Sequence, residues 1–201
     1  RRPITVDDGS AAVTGLLLAL TLPAGVPWYV PVLGAAFAIV IAKQVFGGLG
    51  DNFVNPALAG RAFLLASFPV AMTTFPAVAD AVSSATPLSS EFAGTVDYAQ
   101  AFLGRIGGSI GEVSKLALLA GAAYLLVRRV IDWRVPVSYL GTLAVLNLAF
   151  GEPVLDSVLL GGTVLGAFFM ATDYVTSPVP AWGKVLYGIG IGAINFAIRQ
   201  W

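Results

Sequence analysis

Seven apolar segments constrain this chain more than any other feature: Ala11 to Leu22, Trp28 to Phe46, Pro56 to Phe68, Val113 to Val127, Val135 to Phe150, Leu155 to Ala171 and Gly183 to Arg199. A bilayer core about 30 Å thick takes roughly 20 residues of helix, and a half-spanning helix takes about half that. The first and third segments are short and bounded by Gly or Pro, which suits broken or half-helices lining a cavity. The expected fold is an all-α polytopic membrane protein in the lipid bilayer, with about seven full or half transmembrane helices. Composition agrees: 57% of the 201 residues are hydrophobic, 11% are charged and the mean hydropathy is +0.85. That charged share is less than half of what a soluble domain carries.

Eleven Lys and Arg balance eleven Asp and Glu, so no basic surface gathers nucleic acid and no acidic tail forms. The absence of Cys and His removes the usual ligands of zinc, haem and iron–sulfur clusters, together with disulfides and Cys or His catalysis. No metal site and no catalytic nucleophile of the chain's own are expected. Redox chemistry here must be carried by an organic cofactor. The chain opens Arg1-Arg2-Pro3 and stops at Trp201 within or just after an apolar helix, and it reads as a fragment of a longer subunit.

Between Phe68 and Val113 lies a polar excursion holding Asp80-Ala81-Val82-Ser83-Ser84-Ala85-Thr86-Pro87-Leu88 and the Gly-rich stretch from Gly104 to Gly111. Such backbone belongs at or outside a membrane face. Arg128, Arg129 and Arg134 cluster in the turn after the fourth segment, and the positive-inside rule puts that turn in the cytoplasm. Counting spans back places the Thr86 loop on the extracytoplasmic side. The same count leaves Arg1-Arg2, Lys43 and the Gly47 to Asn55 loop inside.

The chain also echoes itself. Leu17 to Pro23, then Pro27-Trp28 and an apolar helix to Lys43-Gln44, is followed by Phe169 to Asp173, Ser177-Pro178, Ala181-Trp182 and an apolar helix to Arg199-Gln200. Each copy has an apolar half, a Pro break, a Trp and a closing basic-Gln pair, separated by about 155 residues. An odd number of span steps makes the copies run in opposite directions, the inverted-repeat pattern of secondary transporters, whose sites lie at the repeat interface. The alternative is chance similarity between Leu/Ala/Gly-rich helices.

Several positions are candidates for chemistry. Ser83, Ser84 and Thr86 offer hydroxyls beside Asp80, but no His stands by to activate one, so modification needs an external enzyme; by residue type alone they read as a turn or cap ahead of Pro87. Gly47, Gly48 and Gly50 can bring bare backbone against a flavin or phosphate, or can simply make a tight re-entrant connection before Asn55. Gly108 to Glu112 reads as a loop ending at a helix start, with Glu112 complementing the helix dipole and Ser109 beside it. Asp173, with the Thr172 and Thr176 hydroxyls, sits at a Pro-broken turn, where an acid is either on an ion path or a solvated helix end. Trp28, Tyr29, Trp133, Trp182 and Tyr187 near span ends fit an aromatic belt.

Four motifs, in order, resemble the RnfD/NqrB family of membrane electron-transport subunits: Phe46-Gly47-Gly48-Leu49-Gly50-Asp51-Asn52-Phe53-Val54-Asn55-Pro56-Ala57, Asp80 to Leu88, Gly108-Ser109-Ile110-Gly111-Glu112, and Ala171-Thr172-Asp173-Tyr174-Val175-Thr176-Ser177-Pro178. The resemblance covers essentially the whole chain and is strongest to the RnfD side of the family. It implies a covalent FMN, joined through its phosphate to Thr86 by a flavin transferase that reads Asp80, Ser83, Ser84 and Ala85. Position 84 is Ser where the family often has Gly. It also implies a second, non-covalent riboflavin, and a pocket to which Gly47, Gly48, Gly50, Asn55, Ser109 and Glu112 are candidates.

The implied role is an electron-relay flavoprotein subunit of an Rnf-type translocase in the bacterial or archaeal cell inner membrane, coupling ferredoxin:NAD⁺ electron transfer to Na⁺ or H⁺ transport. Its partners would be other membrane and peripheral subunits carrying flavins and iron–sulfur clusters. The alternatives are the NqrB component of the Na⁺-translocating NADH:quinone oxidoreductase and, in another class, a passive solute channel, because the family's inverted-repeat fold is similar to that of urea transporters. Residues 1–68 are expected to form first-repeat helices with a re-entrant loop, and 69–112 the extracytoplasmic flavin-attachment loop. Residues 113–150 are expected to be transmembrane helices, and 151–201 the start of a truncated second repeat.

Overall fold

The structure, a computed structural model, describes residues 8–76, 83–84, 98–105 and 107–200. Asp80, Ala85 and Thr86 of the attachment motif lie outside the described residues. Helices dominate in the order α1 (Ser10–Leu20), α2 (Tyr29–Ala36, continued as a wider π-helix over Phe37–Gln44), α3 (Pro56–Ser67), α4 (Pro69–Thr73), α5 (Tyr98–Leu103) and α6 (Lys115–Val127). They continue as α7 (Arg134–Phe150), α8 (Val154–Leu159), α9 (Thr163–Leu165, continued as a π-helix over Gly166–Met170) and α10 (Ala181–Gln200). Among the described residues the sheet content is one antiparallel pair of two-residue strands, β1 (Phe75–Pro76) with β2 (Ser83–Ser84).

Local chemistry sets the helix ends. The Asn55 carboxamide oxygen accepts from the Ala57 and Leu58 amides at 3.0 and 3.2 Å, and Pro56 takes the first position of α3, where a missing N–H costs nothing. Phe68 precedes Pro69 and is pushed out of helical geometry, to φ −133°, so the third apolar segment ends there and α4 restarts on the proline. Ser114 caps α6 by accepting from Ala117 N at 3.3 Å, and Gly151 closes α7 at φ +77°.

Two apolar clusters meet at α1. Leu18 and Leu22 pack with Val30, Ala57, Leu64 and Met72, while Leu17 and Leu20 lie against Leu118, Val164, Leu165 and Met170. Missing side chains let α7 and α10 approach: a Cβ on Gly188 would stand 2.8 Å from the Val135 carbonyl, and one on Gly192 2.8 Å from that of Tyr139. Small residues at a helix crossing are how apolar helices associate without a hydrophobic force between them.

The expected set of seven spans needs correction. Ala181–Gln200 is the one described helix of 18 residues or more that is apolar enough to cross a membrane; Ser10–Leu20, Tyr29–Gln44, Lys115–Val127 and Arg134–Phe150 are shorter apolar helices. The sixth expected segment is not one helix, because Leu160 turns extended (ψ 147°) and Gly161 takes φ +68°, breaking the chain between α8 and α9. The outer surface is oily, with Leu16, Val145, Leu148 and Ile198 each more than 60% exposed. An apolar exterior on this scale suits lipid and not water.

Candidate functional site

Two cavities share one wall. The larger, about 650 Å³, is lined by Phe53, Asn55, Leu58 and Ala62 from the loop and α3, by Tyr139 of α7, by Gly166 and Met170 of α9, and by Thr176 and Tyr187. The smaller, about 310 Å³, brings together the polar side chains of Asp8, Ser10, Lys43, Asn52, Asn55 and Asp173 between apolar neighbours such as Val13, Leu17 and Leu49. Asn55 lines both. While its oxygen caps α3, its Nδ2 reaches the Met170 carbonyl at 3.5 Å, joining the loop of the first apolar group to the end of α9.

Asp173 and Thr176 form a second bridge. Thr176 Oγ1 donates to Asp173 Oδ2 at 3.1 Å, and Val175 N donates to Oδ1 at 3.4 Å, so the carboxylate shapes its own turn while facing the smaller cavity. Thr172 stands apart, its hydroxyl back-bonded to Phe168 O at 2.8 Å. Asn52 is buried and donates to Val54 O at 2.9 Å. Lys43, also buried, donates to Ser10 Oγ, whose own backbone N–H is held by Asp8 at 2.8 Å.

Both π-helical stretches border these cavities. Lys43 lies in the one that closes α2, and Gly166 and Met170 lie in the one that closes α9. A π-turn widens the helix and releases a carbonyl from the regular ladder, and such turns recur at functional sites. Composition carries no sign of them, because they come from packing.

The remaining sequence candidates divide. Gly47, Gly48 and Gly50 take φ values of +135°, +98° and +98°, conformations that glycine adopts without strain. They form the tight turn that delivers Leu49, Asn52 and Asn55 to the cavities, and do not themselves line them. Ser109 and Glu112 sit elsewhere: the Ile110 and Gly111 amides bond to Leu22 O and Leu20 O at 3.0 and 2.8 Å, clamping the 108–112 loop to the end of α1. Glu112 does not begin α6. Its carboxylate holds the Ser109 N–H at 2.9 Å, and Ser114 is the cap instead. The backbone of Ser83 and Ser84 pairs with Pro76 and Phe75.

Sequence reasoning passed over Lys43, Asn52 and Tyr139 as site residues. An ionisable side chain inside an apolar segment is the signal that would have flagged Lys43. Asn52 and Tyr139 carry none, since their roles depend on which helices become neighbours.

The profile of the NQR2, RnfD, RnfE family matches residues 1–201. The chain is 50% identical over 208 residues to the D-type subunit of the Na⁺-translocating ferredoxin:NAD⁺ oxidoreductase complex of Acetobacterium woodii, covering 99% of this chain and 65% of that protein. It is 43% identical to the D-type subunit of the proton-translocating ferredoxin:NAD⁺ oxidoreductase complex of Clostridium ljungdahlii, covering 98% of this chain and 67% of the relative. Against the B-type subunit of the Na⁺-translocating NADH-quinone reductase of Pseudoalteromonas atlantica it is 42% identical, over 93% of this chain and 51% of that protein. The chain thus spans about two thirds of the length of its relatives from the ferredoxin:NAD⁺ complexes. Nothing in these matches supports the expected likeness to urea transporters, and it is not carried further.

Proposed function

The chain belongs to the NQR2, RnfD, RnfE family, and from that premise we propose that it is the membrane electron-relay part of an Rnf-type complex that couples ferredoxin:NAD⁺ electron transfer to Na⁺ or H⁺ translocation. The observation that carries this reading is the 50% identity, over 99% of the chain, to the D-type subunit of a Na⁺-translocating ferredoxin:NAD⁺ oxidoreductase complex. Residues 69–112 are the extracytoplasmic attachment segment, where a flavin transferase that reads Asp80, Ser83, Ser84 and Ala85 moves the FMN phosphoryl group of a flavin adenine dinucleotide onto the Thr86 hydroxyl, breaking the pyrophosphate bond and releasing AMP and the hydroxyl proton. The helices before and after form a multi-pass unit, and residues 151–201 begin its second repeat. Partner subunits supply the iron–sulfur and nicotinamide chemistry.

A second flavin without a phosphate, riboflavin, suits the larger Asn55 cavity. Its volume of about 650 Å³ lies within the range of small-molecule sites, and such sites combine apolar walls with a few fixed polar groups. Leu58, Ala62, Met170 and Ile191 supply apolar walls, and Asn55, Tyr139, Thr176 and Tyr187 supply polar groups. A bound flavin supplies the redox chemistry, and the chain supplies position and exclusion of water. Asn55 fixes the floor of the cavity through its bond to Met170 O, and the Tyr139 hydroxyl is held by Asn195. Asp173, facing the smaller cavity with Lys43 and Asn52, is the candidate for passing a cation, with Thr176 as its hydrogen-bond partner.

The quinone-reductase relative keeps the NqrB reading in play, and electron acceptor preference, NAD⁺ against quinone, decides between the two. The passive-channel reading gains no observation. The direct experiment is Thr86→Val in the native complex, which removes the hydroxyl and keeps the branched shape. In-gel flavin fluorescence of this subunit should vanish while the complex still assembles; fluorescence retained on the variant chain would sink the assignment.

A further inference from the structure

One buried polar cluster is left unused by the Asn55 cavities. Lys115, the first residue of α6, is 1% exposed and Glu112 is 6% exposed. The Lys115 ammonium donates to the Glu112 backbone carbonyl and to that of Gly161, the latter at 3.0 Å. Arg199, near the end of α10, donates to the carbonyls of Ser157 (2.7 Å) and Leu160 (3.3 Å) and to Thr163 Oγ1 (2.7 Å). Neither cation has a carboxylate within 4.0 Å among the described residues, where the ion pairs are Arg134–Asp132 and Lys184–Asp132. The Glu112 carboxylate faces the Ser109 N–H on one side, and its other oxygen stands 3.0 Å from where a Gly162 Cβ would be. Among the described residues the buried Ser109 hydroxyl has no hydrogen-bond partner.

Burying two cations with no ion pair within 4.0 Å, and with the Glu112 carboxylate acting on both only from farther away, is costly unless the groups around them need positive charge. Here they do. The break between α8 and α9 takes the Leu160 and Gly161 carbonyls out of a continuing helix, and Ser157 lies in the last turn before it. Helix-end carbonyls must find donors or ions. In membrane proteins, unwound carbonyls and half-helix ends are where small monovalent cations bind.

We propose that the α8–α9 break is a monovalent-cation site whose occupant is built into the chain: the Lys115 ammonium stands where the Glu112 and Gly161 carbonyls would otherwise hold an alkali ion. Arg199 secures the neighbouring carbonyls, and Glu112 supplies negative charge beside Gly162. A tethered cation does not exchange, so this point acts as a plug, and ions crossing the subunit pass elsewhere. The inference stands on this geometry and is independent of the redox reading.

The test uses the full-length subunit in its assembled complex, with Lys115→Thr and Lys115→Met purified in NaCl and then moved to choline chloride. Each variant should melt several degrees below the unsubstituted complex in choline. Each should recover on addition of Na⁺, Li⁺ or K⁺ at constant ionic strength, with a saturable and ion-selective shift beyond that of the unsubstituted complex. Responses equal to those of the unsubstituted complex in every salt would overturn the proposal, as would failure of both variants to assemble in any alkali salt. Because melting and not electron transfer is read, loss of flavin or of activity bears on the function above and not on this site.

Discussion

At the scale of single residues, Asn55 concentrates most of the site's logic in one carboxamide. Its oxygen takes two amides at the start of α3 and its nitrogen reaches Met170 O, so a helix cap and a long-range tie depend on one side chain. Asn55→Ala should cost about 1 kcal/mol from the lost cap alone and should lower the amount of non-covalent flavin extracted from the complex; unchanged melting and unchanged flavin would remove Asn55 from the site. Asp132, in the turn between α6 and α7, is the second informative residue. Burial pushes its carboxyl up, but the Arg134 backbone N–H and the Lys184 and Arg134 side chains outweigh this and hold it below the ordinary carboxylate range. A lowered folded pKa gives stability that is present above the unfolded value near 4 and lost as pH falls through the folded one. Melting should therefore fall as pH drops below about 4, and Asp132→Asn should remove that part of the slope while lowering stability at neutral pH.

At the scale of elements, helix ends were readable and helix continuity was not. Asn55-Pro56 announces the start of α3 and Pro69 ends it, because caps and prolines act on neighbours along the chain. Leu155 to Ala171 reads as one apolar stretch, yet Gly161 takes φ +68° and splits it; the break holds because Lys115 and Arg199, distant in sequence, bond its carbonyls. The α7–α10 seam shows the same dependence on partners. Gly192→Ala would put a methyl 2.8 Å from Tyr139 O and 2.9 Å from Thr142 Cβ, which should cost roughly 1–3 kcal/mol by overpacking. Gly190, two residues earlier, has open space around it, so Gly190→Ala should be neutral or stabilise by up to about 1 kcal/mol through helix propensity. Thermal melting of the two variants side by side checks this, and an equal effect would refute the seam.

At the scale of the whole molecule, the oily exterior suits a lipid surrounding, and the described helices are mostly short or broken. The proposed topology is directly testable because the chain has no cysteine. Ser90→Cys should label with a membrane-impermeant maleimide from the extracytoplasmic face and Arg129→Cys from the cytoplasmic face; labelling of both from one side would overturn the arrangement. Much of this was determined by sequence alone: the apolar segments, the absence of His and Cys, the proline that bounds the third segment and the order of four motifs that point to the family. These depend on residue type and on neighbours a few positions away, which a linear string displays. Tertiary structure decided that Asn55 meets Met170, that Glu112 and Ser109 sit with Lys115 and away from the Asn55 cavities, and that the sixth apolar segment breaks. The reason is physical: a buried polar group takes whichever partner folding brings within hydrogen-bond reach, and for Lys115 and Gly161 that partner lies 46 residues away along the chain.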